Sequence, residues 1–188
     1  MANLNIRKPR FYVDRLNYLL TRGRTVSQSC EIQATGDNKI GLKSGSVVSD
    51  LIDMRPLNQT TFETSTDVDG TVVTRFDFAF GSYTTNFIAI LNHNMTTATA
   101  KFKVGYGTEA QVETVGFTGG SVINPSVMLN GSVGSSTVTP QSDGHTLITF
   151  NSAGSSDWGI QFEGSNSGNF SATDLKIGRD ADNLIDFT

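Results

Sequence analysis

Few residues in this chain have the types and spacing that chemistry needs. The two histidines, His93 and His145, lie far apart in the sequence. There is no His-Glu-x-x-His pair, no Cys-x-x-Cys pair and no Gly-rich phosphate loop. A Gly-x-Ser-x-Gly nucleophile elbow is also missing. The single cysteine, Cys30, rules out an intrachain disulfide and reads as a small strand residue. Asp67-Val68-Asp69-Gly70 has two readings, a calcium loop or a hairpin turn built on Asp-Gly. The spaced oxygen ligands and closing Glu of a full calcium loop are missing, which favours the turn. Asp180 and Asp182 are expected in solvent, and Trp158 in the core rather than as a sugar platform. One dense polar cluster stands beside an apolar run: Asn92, His93 and Asn94. It could line a ligand pocket, or its side chains could satisfy loop backbone where a sheet ends. With no catalytic constellation, the expectation is a protein that is not an enzyme and needs neither cofactor nor metal.

The element that must position that cluster is the stretch before it. Phe87-Ile88-Ala89-Ile90-Leu91 is a continuous apolar run, where a half-buried strand would alternate. It reads as a strand covered on both faces, the centre of a two-layer β-sandwich. Composition agrees. Hydrophobic residues make up 37% of the 188, enough for a core, and charged residues only 17%. Gly, Ser, Thr and Asn fill the rest, which favours strands and turns. No apolar run reaches the roughly 18–20 residues of a membrane-spanning helix.

Taken in order, residues 1–24 read as an extended basic arm. Met1 to Arg10 is polar and basic with no apolar run behind it, so it is not expected to be a secretory signal. Asp14 can cap a short helix over 15–22, closed by Gly23, with Leu16, Leu19 and Leu20 on one face. Two turns of helix are unstable alone, so those leucines must bury against the body or a neighbouring subunit. Strands are expected over 26–34, from Ile40 to Leu42, at Val47-Val48, over 59–64 and over 71–80, with an irregular crossing over 50–58. In 71–80, Val72, Thr74, Phe76 and Phe78 share a face. Further strands are expected over 99–106, 112–115, 145–150, 158–162 and 170–177. Residues 116–144 carry little pattern and read as an edge with long hairpins or as a binding surface. The tail, 179–188, should dock through Leu184, Ile185 and Phe187. About ten strands at this spacing make an all-β fold, a jelly-roll β-sandwich over 25–188.

Two phrases carry a family resemblance. Asn86-Phe87-Ile88-Ala89-Ile90-Leu91-Asn92-His93-Asn94 resembles a phrase of bacteriophage tail and other virion proteins, whose domains are similar to the galactose-binding-like (discoidin-like) jelly roll. Asp53-Met54-Arg55-Pro56-Leu57-Asn58 and Leu175-Lys176-Ile177-Gly178 fall in matching places. Pro9-Arg10-Phe11-Tyr12-Val13-Asp14, with Asn17-Tyr18-Leu19-Leu20 and Gly23, looks like a leader segment of phage structural proteins. The resemblance implies a virion component, made in the host cytoplasm, that packs beside other virion proteins and copies of itself.

Charge sharpens that expectation. Residues 1–24 carry a net charge of +5 and the remainder −9. A basic arm on an acidic body suits docking. Arg7, Lys8 and Arg10 would steer it, and Phe11, Tyr12, Leu16, Leu19 and Leu20 would bury. Nucleic acid fits less well, for want of a longer basic run, and no membrane partner is expected. The second reading is a lectin-like module binding host-surface glycan through the 116–144 loops or the Asn92-His93-Asn94 end. A third, a polysaccharide hydrolase, needs a carboxylate pair in a groove.

Overall fold

In the computed structural model the apolar run lies inside an eleven-residue strand, Tyr83–His93. The structure describes residues 18–19, 22, 26–30, 39–52, 58–66, 69–79, 81–178 and 185–187. Within them the strands are β1 (Val26–Cys30), β2 (Lys39–Ile40), β3 (Thr60–Phe62), β4 (Thr71–Phe78), β5 (Tyr83–His93), β6 (Ala100–Gly107), β7 (Ser121–Val122), β8 (Ser126–Leu129), β9 (Ser132–Gly134), β10 (Thr137–Thr139), β11 (Gly144–Ser155), β12 (Asp157–Gly164), β13 (Leu175–Ile177) and β14 (Ile185–Phe187). A short helix, α1, spans Glu109–Glu113.

The strands form two sheets. One has the order β1-β4-β12-β6-β10-β9, with β2 added on β4 and β7 on β6. The other runs β3-β13-β5-β11-β8, with β14 added on β5. This is the expected all-β sandwich, with β5 inside its sheet. Phe87, Ile88, Ala89 and Ile90 are all buried. Side chains alternate along a strand, so both faces of β5 are covered, as the unbroken run requires. The core lies between the sheets. Ile88, Ile90, Ile148 and Ile177 meet Val72, Phe76, Phe102, Trp158 and Phe162 there. Phe162 packs at 6.3 Å from Phe62 in the other sheet and 6.1 Å from Phe102.

Alternation read from sequence held in β4 and β12, with one addition. Trp158, Ile160 and Phe162 face the core, but Gln161 on the opposite face is also fully buried. Residues 109–117 cover it. Gln161 Nε2 donates to the carbonyls of Val112 (3.3 Å) and Thr114 (2.8 Å), and its Oε1 accepts from the Gly116 N–H (2.8 Å). The Phe117 ring lies close against the sheet because Gly105 and Gly159 lack side chains. A Cβ at either would stand 2.5–2.7 Å from that ring. Arg75 pins the helix, its guanidinium 2.8 Å from Asp157 on the sheet and 2.8 Å from Glu109 on α1.

Several local expectations are corrected. Residues 112–115 are not a strand: α1 ends there. Thr108 and Gln111 make a capping box, and the Thr108 N–H donates to Gln111 Oε1 at 2.9 Å. Val48 opens a short 3-10 turn, Val48–Leu51, rather than a strand. β3 and β4 are not hairpin partners, because β3 pairs with β13 and β4 with β1 and β12; Asp67 and Val68 of the expected turn lie outside the described residues. Residues 116–144 hold four short strands at the sandwich edge.

Candidate functional site

The Asn92-His93-Asn94 cluster closes one end of the sandwich. Its shape starts from a register break. His93 pairs with Gly144, but Ile90 pairs with Thr146, so β5 carries an extra residue over this interval. The slack is taken up at Asn92, whose φ of 51° lies in the left-handed region that Asn tolerates. The bulge turns Asn92 out to the surface while its N–H donates to His145 Nδ1 at 3.1 Å.

His93 is not a ligand of that surface. It is 3% exposed and sits in an internal chain of hydrogen bonds. The Met95 N–H donates to Nδ1 (3.3 Å), so the neutral ring carries its proton on Nε2 and donates it to Thr146 Oγ1 (2.8 Å). Thr146 in turn donates to the Asn130 carbonyl (3.1 Å). Burial holds the His93 pKa down at about 4, against a smaller upward pull from Asp143.

Asn94 does a strand's work with its side chain. Nδ2 donates to the Asp174 carbonyl (2.9 Å) and Oδ1 accepts from the Lys176 N–H (2.7 Å). This ties the end of β5 to β13. Asp174 is itself fixed. Burial alone would raise its carboxyl pKa, but hydrogen bonds from Lys43 and Ser65 outweigh burial and hold it below the usual value. On the other side, Asp143 Oδ1 accepts the N–H groups of Thr96 (2.8 Å) and Thr97 (3.0 Å). Asn130 Oδ1 accepts from the N–H groups of Gln141 (3.1 Å) and Ser142 (2.9 Å), steadying the approach to β11.

Between these ties lies a cavity of about 370 Å³. Asn92 and Asn94 line it, as the sequence suggested for a pocket, and His93 does not. The remaining walls come from four separate segments: Gln59 before β3, Thr97, Asp143, and the stretch that holds Thr173 and Lys176. Sequence reasoning reached Asp143 only as part of the 116–144 loops and missed the other four, because only folding brings them together. The one local hint was the Asp143-Gly144 turn signal, which places Asp143 next to β11. The cavity offers amides, hydroxyls, one ammonium and one carboxylate. A polysaccharide hydrolase needs two carboxyl groups across the scissile bond; Asp143 is the single carboxylate lining this cavity. Among the described residues no group of three or more His, Cys, Asp or Glu could hold a metal ion.

Of the proposed docking residues, Leu19 alone is described. Tyr18 and Leu19 are helical, the Arg22 N–H donates to the Tyr18 carbonyl at 3.2 Å, and Leu19 packs part-buried against the body's own core. Arg7, Lys8, Arg10, Phe11, Tyr12, Leu16 and Leu20 lie outside the described residues.

No family model and no curated protein matches the sequence. Solved structures do match the fold. A pectin-binding carbohydrate-binding module superposes with a TM-score of 0.51 at 13% identity, over 87% of this chain and 88% of that one. A module from Clostridium perfringens, solved with GalNAc-β-1,3-galactose, gives 0.51 at 12% identity over 90% and 97%. Chitosan-binding module 1 of a chitosanase/glucanase from Paenibacillus sp. IK-5 gives 0.50 at 13% over 88% and 94%. At such identities the likeness bears on the fold alone: a two-sheet, jelly-roll β-sandwich. Nothing in these comparisons links the chain to a bacteriophage, so the virion half of the resemblance gains no support.

Proposed function

We propose that this chain is a non-catalytic carbohydrate-binding module whose glycan site is the cavity at the His93 end. The carrying observation is the cavity's chemistry. Asn92, Thr97, Thr173, Gln59 and Lys176, from strand ends and loops, offer both donors and acceptors around one space of about 370 Å³. A sugar's hydroxyls are both donors and acceptors, and such a set can meet them. The space falls within the roughly 300–1,000 Å³ range of small-molecule sites. Hydrogen bonds of Asn94, Asp143 and Asp174 hold the segments around the cavity, so little ordering is left for binding to do. The sandwich that carries the cavity has the fold of modules that bind pectin, chitosan and GalNAc-β-1,3-galactose.

The test is a glycan array probed with and without calcium, followed by calorimetry on the best hit. Thr173→Val and Lys176→Met should each weaken binding by about tenfold, the loss of one good hydrogen bond or charged contact. Their thermal midpoints should stay near that of the wild type. An array blank under both conditions sinks the reading.

A further inference from the structure

The opposite end of the sandwich carries a second, unlike cavity. The strand pairs place it. Gly144 lies against His93 and Ser155 against Tyr83, so β11 runs from the first end to the far one. Ser155 Oγ donates to the Gly107 carbonyl at 2.8 Å, joining the ends of β11 and β6. Close by is a hollow of about 170 Å³, with Tyr106 and Phe150 among its walls.

Both rings are part-exposed and both are braced from beneath. The centroid of the fully buried Trp158 lies 5.2 Å from Tyr106 and 6.0 Å from Phe150. The Trp158 indole N–H donates to the Tyr83 carbonyl at 3.2 Å, which fixes the brace. The rim is polar. Thr149 pairs with Phe87 and Ala153 with Thr85, so three residues of β11 face one of β5. Phe150, Asn151 and Ser152 form that bulge, a device that re-aims side chains where pairing stops. Asn151 and Ser152 are exposed, as is Asn124 across the hollow. The Ile123 N–H donates to the Val104 carbonyl at 3.0 Å, which anchors Asn124's segment to β6. No residue lining the hollow carries a charge.

Two braced rings, a rim of amides and a hydroxyl, and no charge select for a ligand with an apolar face and a neutral hydroxylated edge. A pyranose ring has both, since its C–H face can lie on an aromatic ring while its hydroxyls reach amides. The hollow is smaller than a drug-sized pocket. We propose that it is a second binding site, taking a single neutral pyranose unit, so that one chain engages glycan at both ends. Its ligand class rests on the carbohydrate reading above, but its geometry is independent of the His93 end. Two sites on one rigid body raise avidity for a polymer or a sugar-coated surface without any new contact.

The experiment is an NMR titration of the full ¹⁵N-labelled chain with methyl β-galactoside, methyl β-glucoside and galacturonate. The side-chain amides of Asn124 and Asn151 should shift with at least one neutral glycoside. Galacturonate should bind there at least about tenfold more weakly. Asn151→Trp, an exposed substitution that fills the hollow, should abolish the remaining Asn124 shift, and Ser152→Ala should weaken the shifts of both asparagines by roughly three- to tenfold. Silence of Asn124 and Asn151 with both neutral glycosides overturns the proposal, as do shifts that survive Asn151→Trp. If those two stay silent while Asn92 and Gln59 move, the second site falls and the His93-end reading stands. If they move while Asn92 and Gln59 never do, the second site stands and the His93-end reading falls.

Discussion

The two ends of the sandwich are closed in opposite ways. At the His93 end the buried imidazole, Thr146 and Asn130 form one hydrogen-bond chain, while Asn94, Asp143 and Asp174 each tie neighbouring segments together. At the far end Trp158, Tyr106 and Phe150 pack ring on ring, and Phe78 stacks on Tyr83 at 4.3 Å. The first solution leaves polar and charged groups around a roomy cavity, and makes that end answer to pH. The second leaves a small hollow with no charged residue in its lining. One scaffold can thus present two surfaces of different selectivity, because strand ends need only be closed, not closed alike.

The largest effect should come from breaking the packed end. Trp158→Ala removes a fully buried ring and its indole hydrogen bond to Tyr83. Such truncations cost about 3–5 kcal/mol, and urea unfolding would measure it. The loss should be the same at pH 7 and pH 5, because nothing removed titrates in that range. A loss under about 1 kcal/mol would mean that this end collapses around the gap and that the rings are not its brace.

The polar end should break with acid instead. The unfolded chain takes a proton on His93 near pH 6.5, while the native state resists it until about pH 4. Between those values the unfolded state binds more protons, so stability is full above pH 6.5 and falls as the pH drops toward 4. The loss should approach about 3 kcal/mol. His93→Gln keeps a donor and an acceptor but cannot titrate, and should flatten the slope of urea midpoint against pH. Trp158→Ala should leave that slope intact. A slope unchanged in His93→Gln would assign the acid sensitivity to another group.

This contrast also explains what the sequence could tell. The packed parts were legible because packing leaves a periodic trace. The unbroken run from Phe87 to Leu91 gave β5, and alternation at Val72, Thr74, Phe76 and Phe78 gave β4. The same rule hid the cover over Gln161, since a buried glutamine reads as an exposed one until Phe117 and α1 are seen above it. At residues 112–115 the valines suggested a strand, yet the capping pair Thr108 and Gln111 was the stronger local signal. The 67–70 turn misled because hairpin chemistry is local while pairing is not: Thr60–Phe62 pairs with Leu175–Ile177. The candidate site was half legible. Asn92 and Asn94 line the cavity, but an asparagine-flanked histidine at a strand end gave no sign that it points inward. Gln59, Thr97, Asp143, Thr173 and Lys176 have no common pattern and meet only in three dimensions.

The smallest effect should come from Asp143→Asn, and it tests whether the two roles of the polar end are coupled. Asn keeps the oxygen that accepts the Thr96 and Thr97 N–H groups. At the second oxygen it offers a donor where the Thr97 hydroxyl now donates, and that hydroxyl can turn to accept. The cost should therefore be about 1 kcal/mol or less at pH 7. The charge, however, is gone. Asp143 pulls the His93 pKa upward, against the burial that lowers it. Without it the imidazole should resist protonation to a still lower pH, and the acid loss of stability should extend further. An NMR titration of the His93 ring would read this directly. A midpoint below the wild-type value shows that a wall residue of the cavity sets the charge state of the buried histidine behind it. A midpoint that stays put or rises would separate the cavity from the hydrogen-bond chain. The polar end would then be two neighbouring devices rather than one.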